Sequence, residues 1–483
     1  MGNIPARFRG EVLSEGVKGQ KRSLGDDSED DEDTKHMNSP QRKKLKCTAK
    51  YIYDTLFVNG ENSDITIKAL DKDWPLHKIY LCQSSYFASM FSGSWKESTL
   101  KEITVDIPDQ NIDENALKVA LGSLYRDDVL IEPARVVSVL AAASLVQLDG
   151  LIQQCADVMS ENISPKTIGA YHSAASSYGL QTVETSCVQW LERNLMFVQN
   201  RELLLELSLD LFKKVMSSPH LFVLQVEMDV YSLTKKYCFL KVNPSWHKDP
   251  KVLGKNVDSF YQKFETGEFL SSEKGQQFEP LFRALRFEYI INDHAACKQL
   301  QKDNIIPEDW LLPIFKQQWL RMLRVEQAKD SGPKEDLVPA EQFEIHSQRC
   351  GRMITKEGEY CWRWTGFNYG VDLLITYANK LLVIKRNNTT HPVSSSISMQ
   401  SHRSIMIRIH VVSYNPQGGI LYEEKSNIET YSLNKDEERV LIGLSRQVKY
   451  PFQIGVNVLA VTPFLLNESA TEERDRQENV ENS

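Results

Sequence analysis

The chain has 483 residues, 41% apolar and 25% charged, an ordinary globular composition with the length for roughly two to four cores. Its 57 basic and 65 acidic residues leave a formal charge of −8, which argues against a general nucleic-acid binder and leaves only local basic patches for that role. No apolar run reaches the roughly 18 residues that cross a bilayer, and the N-terminus lacks the apolar core of a signal peptide, so no membrane insertion is expected.

The eight cysteines are scattered and form no C-x-x-C pair, which suits a reducing compartment. Gly2 follows Met1, but Ala6 stands where a myristoylation pattern takes Ser or Thr, so lipidation is not expected. Residues 1–49 read as a disordered leader, with an acidic run from Asp26 to Asp33 and too few large apolar side chains to offset ordering entropy. Arg42, Lys43, Lys44 and Lys46 then place four cations in five residues, the pattern of a nuclear localisation signal; a solvated linker is the bland alternative.

Structure is expected from residue 50 onward. Residues 51–59 give an amphipathic helix ended by Asn59-Gly60, residues 64–70 alternate as a half-buried strand, and 74–77 form its hairpin partner. Apolar spacing predicts short helices over 79–84 and 85–91, followed by a small-residue turn and the polar loop Trp95-Lys96-Glu97. Residues 102–107 alternate again. Asp113 caps a helix over 114–126, Pro133 opens one over 134–145, and 148–159 form another. From 164 to 330 the pattern stays helical. After a charged linker at 331–339 the period changes to two, with strands predicted at 360–364, 372–377, 381–385, 404–412 and 453–461 in a sandwich or barrel. A disordered tail is expected after Phe464.

Catalytic chemistry has no visible basis. The chain shows no G-x-x-x-x-G-K-[ST] loop, no H-E-x-x-H and no Cys/His set with zinc spacing, so no enzyme, cofactor or metal is expected. His77 reads as a hydrogen-bonded core residue. Cys350 and Cys361 bracket the start of the β region and suggest two buried free thiols, neighbours across a hairpin. Trp362 and Trp364 alternate with polar residues and are expected in the core of the sheet.

The order Ser63-Asp64, His77, Ser85-Tyr86-Phe87, Met90-Phe91, Glu97-Ser98, Tyr125, Ala142-Ala143 and Leu148 resembles the BTB/POZ domain over residues 51–162. The helices that follow it resemble a BACK domain. The runs Arg42-Lys43-Lys44-Leu45-Lys46, Lys50-Tyr51-Ile52-Tyr53, Asn59 to Ile65 and Cys361 to Asn368 together resemble the germ cell-less family across nearly the whole chain after the leader. The expected architecture is therefore multidomain α+β: a leader at 1–49, a BTB/POZ domain at 50–162, a BACK domain with helical extension at 163–330, a mostly-β domain at 340–466 and a tail at 467–483.

The resemblance implies a non-catalytic, substrate-specific adaptor of a cullin-3 ubiquitin ligase. BTB proteins that recruit cullin-3 carry an apolar-x-Glu loop after the third helix, and Trp95 and Glu97 match it, with Met90 and Tyr125 bordering the same surface. A cap on the BTB core is the alternative role for Trp95. The helix with Tyr51, Ile52 and Leu56 is the family's dimerising helix, or else folds back on its own domain. The β domain is the expected seat of an unidentified protein substrate. The resemblance also implies a nuclear location, at the matrix or inner envelope, and a place in germ-cell development and spermatogenesis. Implied partners there are nuclear-envelope proteins and a dimerisation partner of cell-cycle transcription factors, with the alternative of a scaffold or co-regulator without ubiquitin transfer.

Overall fold

The computed structural model of the protein describes residues 48–92, 99–263, 267–327, 332–366, 370–387, 402–415 and 419–462. A helix at Thr48–Ile52 runs on as a single wider π turn at Tyr53–Val58, which directs Phe57 into the core. Gly60, at φ +66°, ends this segment, and a Cβ there would stand 2.6 Å from Pro75 Cγ, so only glycine lets the chain pass. Strands β1 (Ile65–Ala69) and β2 (Lys72–Leu76) then pair antiparallel around a two-residue turn, Leu70-Asp71, with both residues at positive φ. Ile65, Ile67 and Ala69 point inward, as their alternation predicts.

Short helices follow at Lys78–Leu81 and Ser85–Phe91, the second capped by Ser84, whose side chain accepts from the Phe87 amide at 3.3 Å. Strand β3 (Glu102–Thr104) lies parallel to β1 and completes a three-stranded sheet ordered β2-β1-β3. Asp113 caps Glu114–Gly122 by accepting from the Ala116 amide at 2.7 Å. The expected longer helix tightens after Gly122 into a 3-10 turn at Ser123–Tyr125. Helices Val136–Leu145 and Asp149–Glu161 finish the N-terminal unit.

The middle region is mostly helical, from Ile168–Tyr178 through Gln181–Asn194, Leu209–Ser217 and Glu227–Val242 to Glu308–Glu326. One apolar cluster extends without a break from Phe57 in the first unit to Leu311 in the last long helix. The helical region thus shares its core with the unit before it. Lys235, on Glu227–Val242, is almost fully buried and bonds Asp303 at 2.6 Å and Asp258 at 2.9 Å, which neutralises a cation inside the helical core.

After the helix Ala340–His346 come, among the described residues, nine strands: β4 (Gln348–Ile354), β5 (Tyr360–Gly366), β6 (Val371–Ala378), β7 (Leu381–Arg386), β8 (His402–Tyr414), β9 (Ile420–Lys425), β10 (Glu429–Asn434), β11 (Glu438–Gly443) and β12 (Phe452–Val461). One sheet is ordered β10-β8-β12-β4, with β9 also on β8, and the other β11-β7-β6-β5. Their inner faces share a core that includes Ile354, Leu373, Ile375, Ile384, Ile407, Ile409, Ile454 and Val456, so the domain is a β sandwich. The chain as a whole is mixed α+β. Trp364 is buried in the sandwich core and Trp362 packs partly buried against it.

The expected pairing of Cys350 with Cys361 does not hold. Cys350 is buried on β4 in the first sheet, whereas Cys361 is exposed on β5 in the second. Sequence adjacency misled here because β4 and β5 follow each other in the chain but belong to opposite layers.

Strands β4, β8 and β12 of the first sheet are buried on both sides, since their outer face lies against the helical region. Arg349, 2% exposed, reaches across this seam to Glu227, fully buried at the start of Glu227–Val242. Its Nε and Nη2 donate to the two Glu227 oxygens at 2.9 and 2.7 Å, and Nη1 donates to the carbonyls of Met216 and Ser218, both at 2.7 Å. Gln453 donates to the Arg193 carbonyl at 3.1 Å, and Asn457 to that of Pro219 at 3.1 Å. The backbones come so close that a Cβ on Gly351 would stand 2.8 Å from Phe222 and from the Val223 carbonyl.

Candidate protein-interaction surfaces

Two stretches of the N-terminal unit were singled out for contact with other proteins. The first surrounds the end of helix Ser85–Phe91. Met90 and Phe91 are half-buried and pack against the core from the surface, and the Lys78 ammonium lies 5.3 Å from the centroid of the Phe91 ring. Trp95 and Glu97 lie outside the described residues, as do Lys96 and the flanking 93–94 and 98. The stretch leaves from exposed Ser92 and returns at Leu100, 47% exposed, just before β3, where Lys68 bonds Glu102 at 2.9 Å.

Tyr125 stands apart from this surface. It is 3% exposed, its ring stacks on Tyr80 at 4.3 Å, and its hydroxyl accepts from the His77 amide at 3.0 Å. Burial pushes its phenol far above the usual range, so it stays protonated and hydrogen-bonded. His77 is the core residue its position suggests: 8% exposed, with Nε2 2.9 Å from the Glu61 carbonyl and Nδ1 3.2 Å from the Tyr125 hydroxyl.

The second stretch is the N-terminal helix. Phe57 enters the core, the Tyr53 ring lies tilted against it with centroids 5.2 Å apart, and Arg126 covers the Tyr53 ring at 4.3 Å. Gly122 makes this docking feasible: a Cβ there would stand 3.0 Å from Phe57 and 3.1 Å from Tyr53. Ile52 and Leu56 are half-buried against the same core, while Tyr51 at 59% and Val58 at 53% remain exposed. The helix therefore folds back on its own unit, the second of its two expected roles, and leaves part of its surface exposed. The exposed side offers apolar atoms to solvent.

The thiols of the core are poor nucleophiles, because burial drives those of Cys155, Cys187 and Cys350 up to about 12. Among the described residues no group of three or more His, Cys, Asp or Glu is placed to hold a metal, and no helix is long and apolar enough to cross a membrane. The import-like cluster Arg42, Lys43, Lys44 and Lys46 lies outside the described residues. The interactions that sequence reading missed are those of the seam. Arg349 and Glu227 are 122 residues apart, and nothing local marks either as paired.

The short parallel-edged sheet, the helix pair after β2 and the helices closing the unit are those of a BTB domain, and the BTB/POZ domain family matches residues 53–163. The chain is a BTB protein whose later part combines a helical region with a β sandwich. It is 50% identical over 454 residues to Germ cell-less protein-like 1 of Mus musculus, covering 93% of this chain and 86% of that protein. To Protein germ cell-less of Drosophila melanogaster it is 35% identical over 493 residues, covering 96% and 86%. Kelch-like protein 6 of Homo sapiens matches only 35% of the chain, at 24% identity. The chain belongs to the germ cell-less family.

Proposed function

We propose that the protein is a non-catalytic adaptor of a cullin-3 ubiquitin ligase that brings a protein substrate to ubiquitination and degradation. In this reading a BTB dimer holds the cullin, the helical region acts as a BACK-type spacer, and the β sandwich carries the substrate surface. The observation that carries it is the apolar-x-Glu sequence Trp95-Lys96-Glu97, which follows helix Ser85–Phe91 in the chain, within the residues that match the BTB/POZ domain. An aromatic anchor of this kind fills a partner pocket, and an acid at its rim fixes register. Losing such an anchor costs about 2 kcal/mol or more, at least tenfold in affinity. The combined Trp95→Ala and Glu97→Lys variant is therefore expected to lose cullin-3 in co-purification while keeping its thermal stability. Retention of cullin-3 at the wild-type level would remove this interface.

Dimerisation follows from the exposed side of the N-terminal helix, which a two-fold mate would cover. Light scattering on Tyr51→Glu with Val58→Glu is expected to give the monomer mass where the wild type gives the dimer. Both side chains are exposed, so the fold itself is left intact.

The basic run supports a nuclear setting, and the relatives' names support work in germ cells, in their development or in spermatogenesis. Partners at the nuclear envelope or matrix, and a dimerisation partner of cell-cycle transcription factors, belong to this reading. A chain lacking residues 42–46 is expected by imaging to lose nuclear accumulation; unchanged accumulation would remove that signal.

A further inference from the structure

Helix Glu308–Glu326 closes the helical region, and only part of its circumference is used for packing. Leu311, Gln318 and Val325, evenly spaced along it, are buried on its inner side. Gln318 donates to the carbonyls of Glu288 and Ile291, and Arg321 bonds Glu288 at 3.0 Å, which seats this side on the chain around helix Phe287–Ile290. Leu312 and Trp319 each follow one of those buried residues by one position, so they stand about 100° round the helix in a second stripe. They are 56% and 59% exposed, with Leu320 at 44% and Met322 at 37% beside them and half-buried Leu323 on the same stripe. A surface helix needs an apolar stripe only on the side that faces its core. A second one, carrying a tryptophan and rimmed by charges, marks a contact surface.

The charges along this surface have an order. Glu308 and Asp309 stand exposed in the first turn, and Lys316 and Arg324 stand exposed further along. The helix dipole accounts for acids at the start and a cation near the end, but not for the apolar residues between them. Glu308, Asp309 and Lys316 enter no ion pair among the described residues. A lipid surface suits a face rimmed by cations, and the two acids count against it. A surface that is acidic at one end and basic at the other is complementary to its own inverted copy.

We infer that this exposed stripe of helix Glu308–Glu326 is a self-association face, on which the same helix of a second copy packs antiparallel about a two-fold axis. Two-fold symmetry makes each contact reciprocal. With Leu312 opposite Trp319 of the second copy, Glu308 and Asp309 fall within one turn of that copy's Arg324, and the same pairs recur on the other side of the axis. The two helix dipoles are then antiparallel as well. A helix of 19 residues is about 28 Å long, so the contact lies at the small end of protein interfaces, with a dissociation constant on the order of 10 µM. The face is separate from the exposed side of the N-terminal helix at Tyr51 and Val58. A chain that pairs through both joins dimer to dimer, and neither contact needs a cullin.

Sedimentation velocity of the full chain from about 1 to about 100 µM tests this. The average mass of the wild type is expected to double over the range. Trp319→Glu is expected to keep the wild-type melting temperature and to hold the low-concentration mass throughout. Glu308→Lys with Asp309→Lys is expected to lose most of the rise. Mixing that variant with Lys316→Glu, Arg324→Glu is expected to restore it, which non-specific adhesion of an apolar patch would not do. In Tyr51→Glu with Val58→Glu the starting mass is halved and the doubling stays. Failure of the N-terminal helix to dimerise therefore shows in the starting mass, and failure of this inference in the doubling. A wild-type mass that is constant over the range, a rise that persists in Trp319→Glu, or a charge-variant mixture that stays at its starting mass would each overturn the inference.

Discussion

The arrangement of the second half of the molecule depends on Arg349 meeting Glu227. Glu227 sits in the first turn of helix Glu227–Val242, where the helix dipole favours a carboxylate. Arg349 is the second residue of β4, and strand alternation sends its side chain to the helical region while the adjacent Cys350 joins the sandwich core. Neither charge has access to water, so each is tolerable only in the presence of the other. Replacing such a pair by apolar residues is often harmless, but removing one member costs about 3–5 kcal/mol because the survivor is left buried and unpaired. The pair therefore acts as a selector of one docking geometry more than as a source of net stability. The close approach at Gly351, which admits no side chain, and the bonds from Gln453 and Asn457 then close the rest of the seam around it.

This docking matters because of what lies on its two sides. The helical region shares one apolar core with the BTB unit, from Phe57 to Leu311, so the BTB edge and the helices are set by close packing. The sandwich has a separate core and is attached mainly through polar groups. The buried polar seam thus sets the position of the sandwich relative to the BTB unit.

Much of the fold was legible where a face is plainly apolar. The alternation in β1, β6 and β7 and the long helices follow from patterns that burial imposes, and the Asp113 cap from its side chain at a helix start. Strands β9, β10 and β11 were missed because they are edge or near-edge strands with mostly exposed polar residues, and β4 because its outer face needs polar side chains for the seam. The candidate site was legible in part. The helix that carries Tyr51, Ile52 and Leu56 lies where its periodicity places it, whereas Tyr125 has the aromatic character of a contact residue but is committed to His77 in the core. Ion pairs between residues more than a hundred positions apart leave no local trace, so the seam emerges only from the folded structure.

The central claim is that Arg349 and Glu227 fix the sandwich on the helices, and the interdomain distance measures this directly. Spin labels on Lys213→Cys, exposed on Leu209–Ser217, and on native Cys361, exposed on β5, report it once Cys47, Cys82 and Cys297 are replaced by serine. The account predicts one narrow distance distribution in the wild-type background and a broad one in Glu227→Ala. A distribution that stays equally narrow in Glu227→Ala would contradict it.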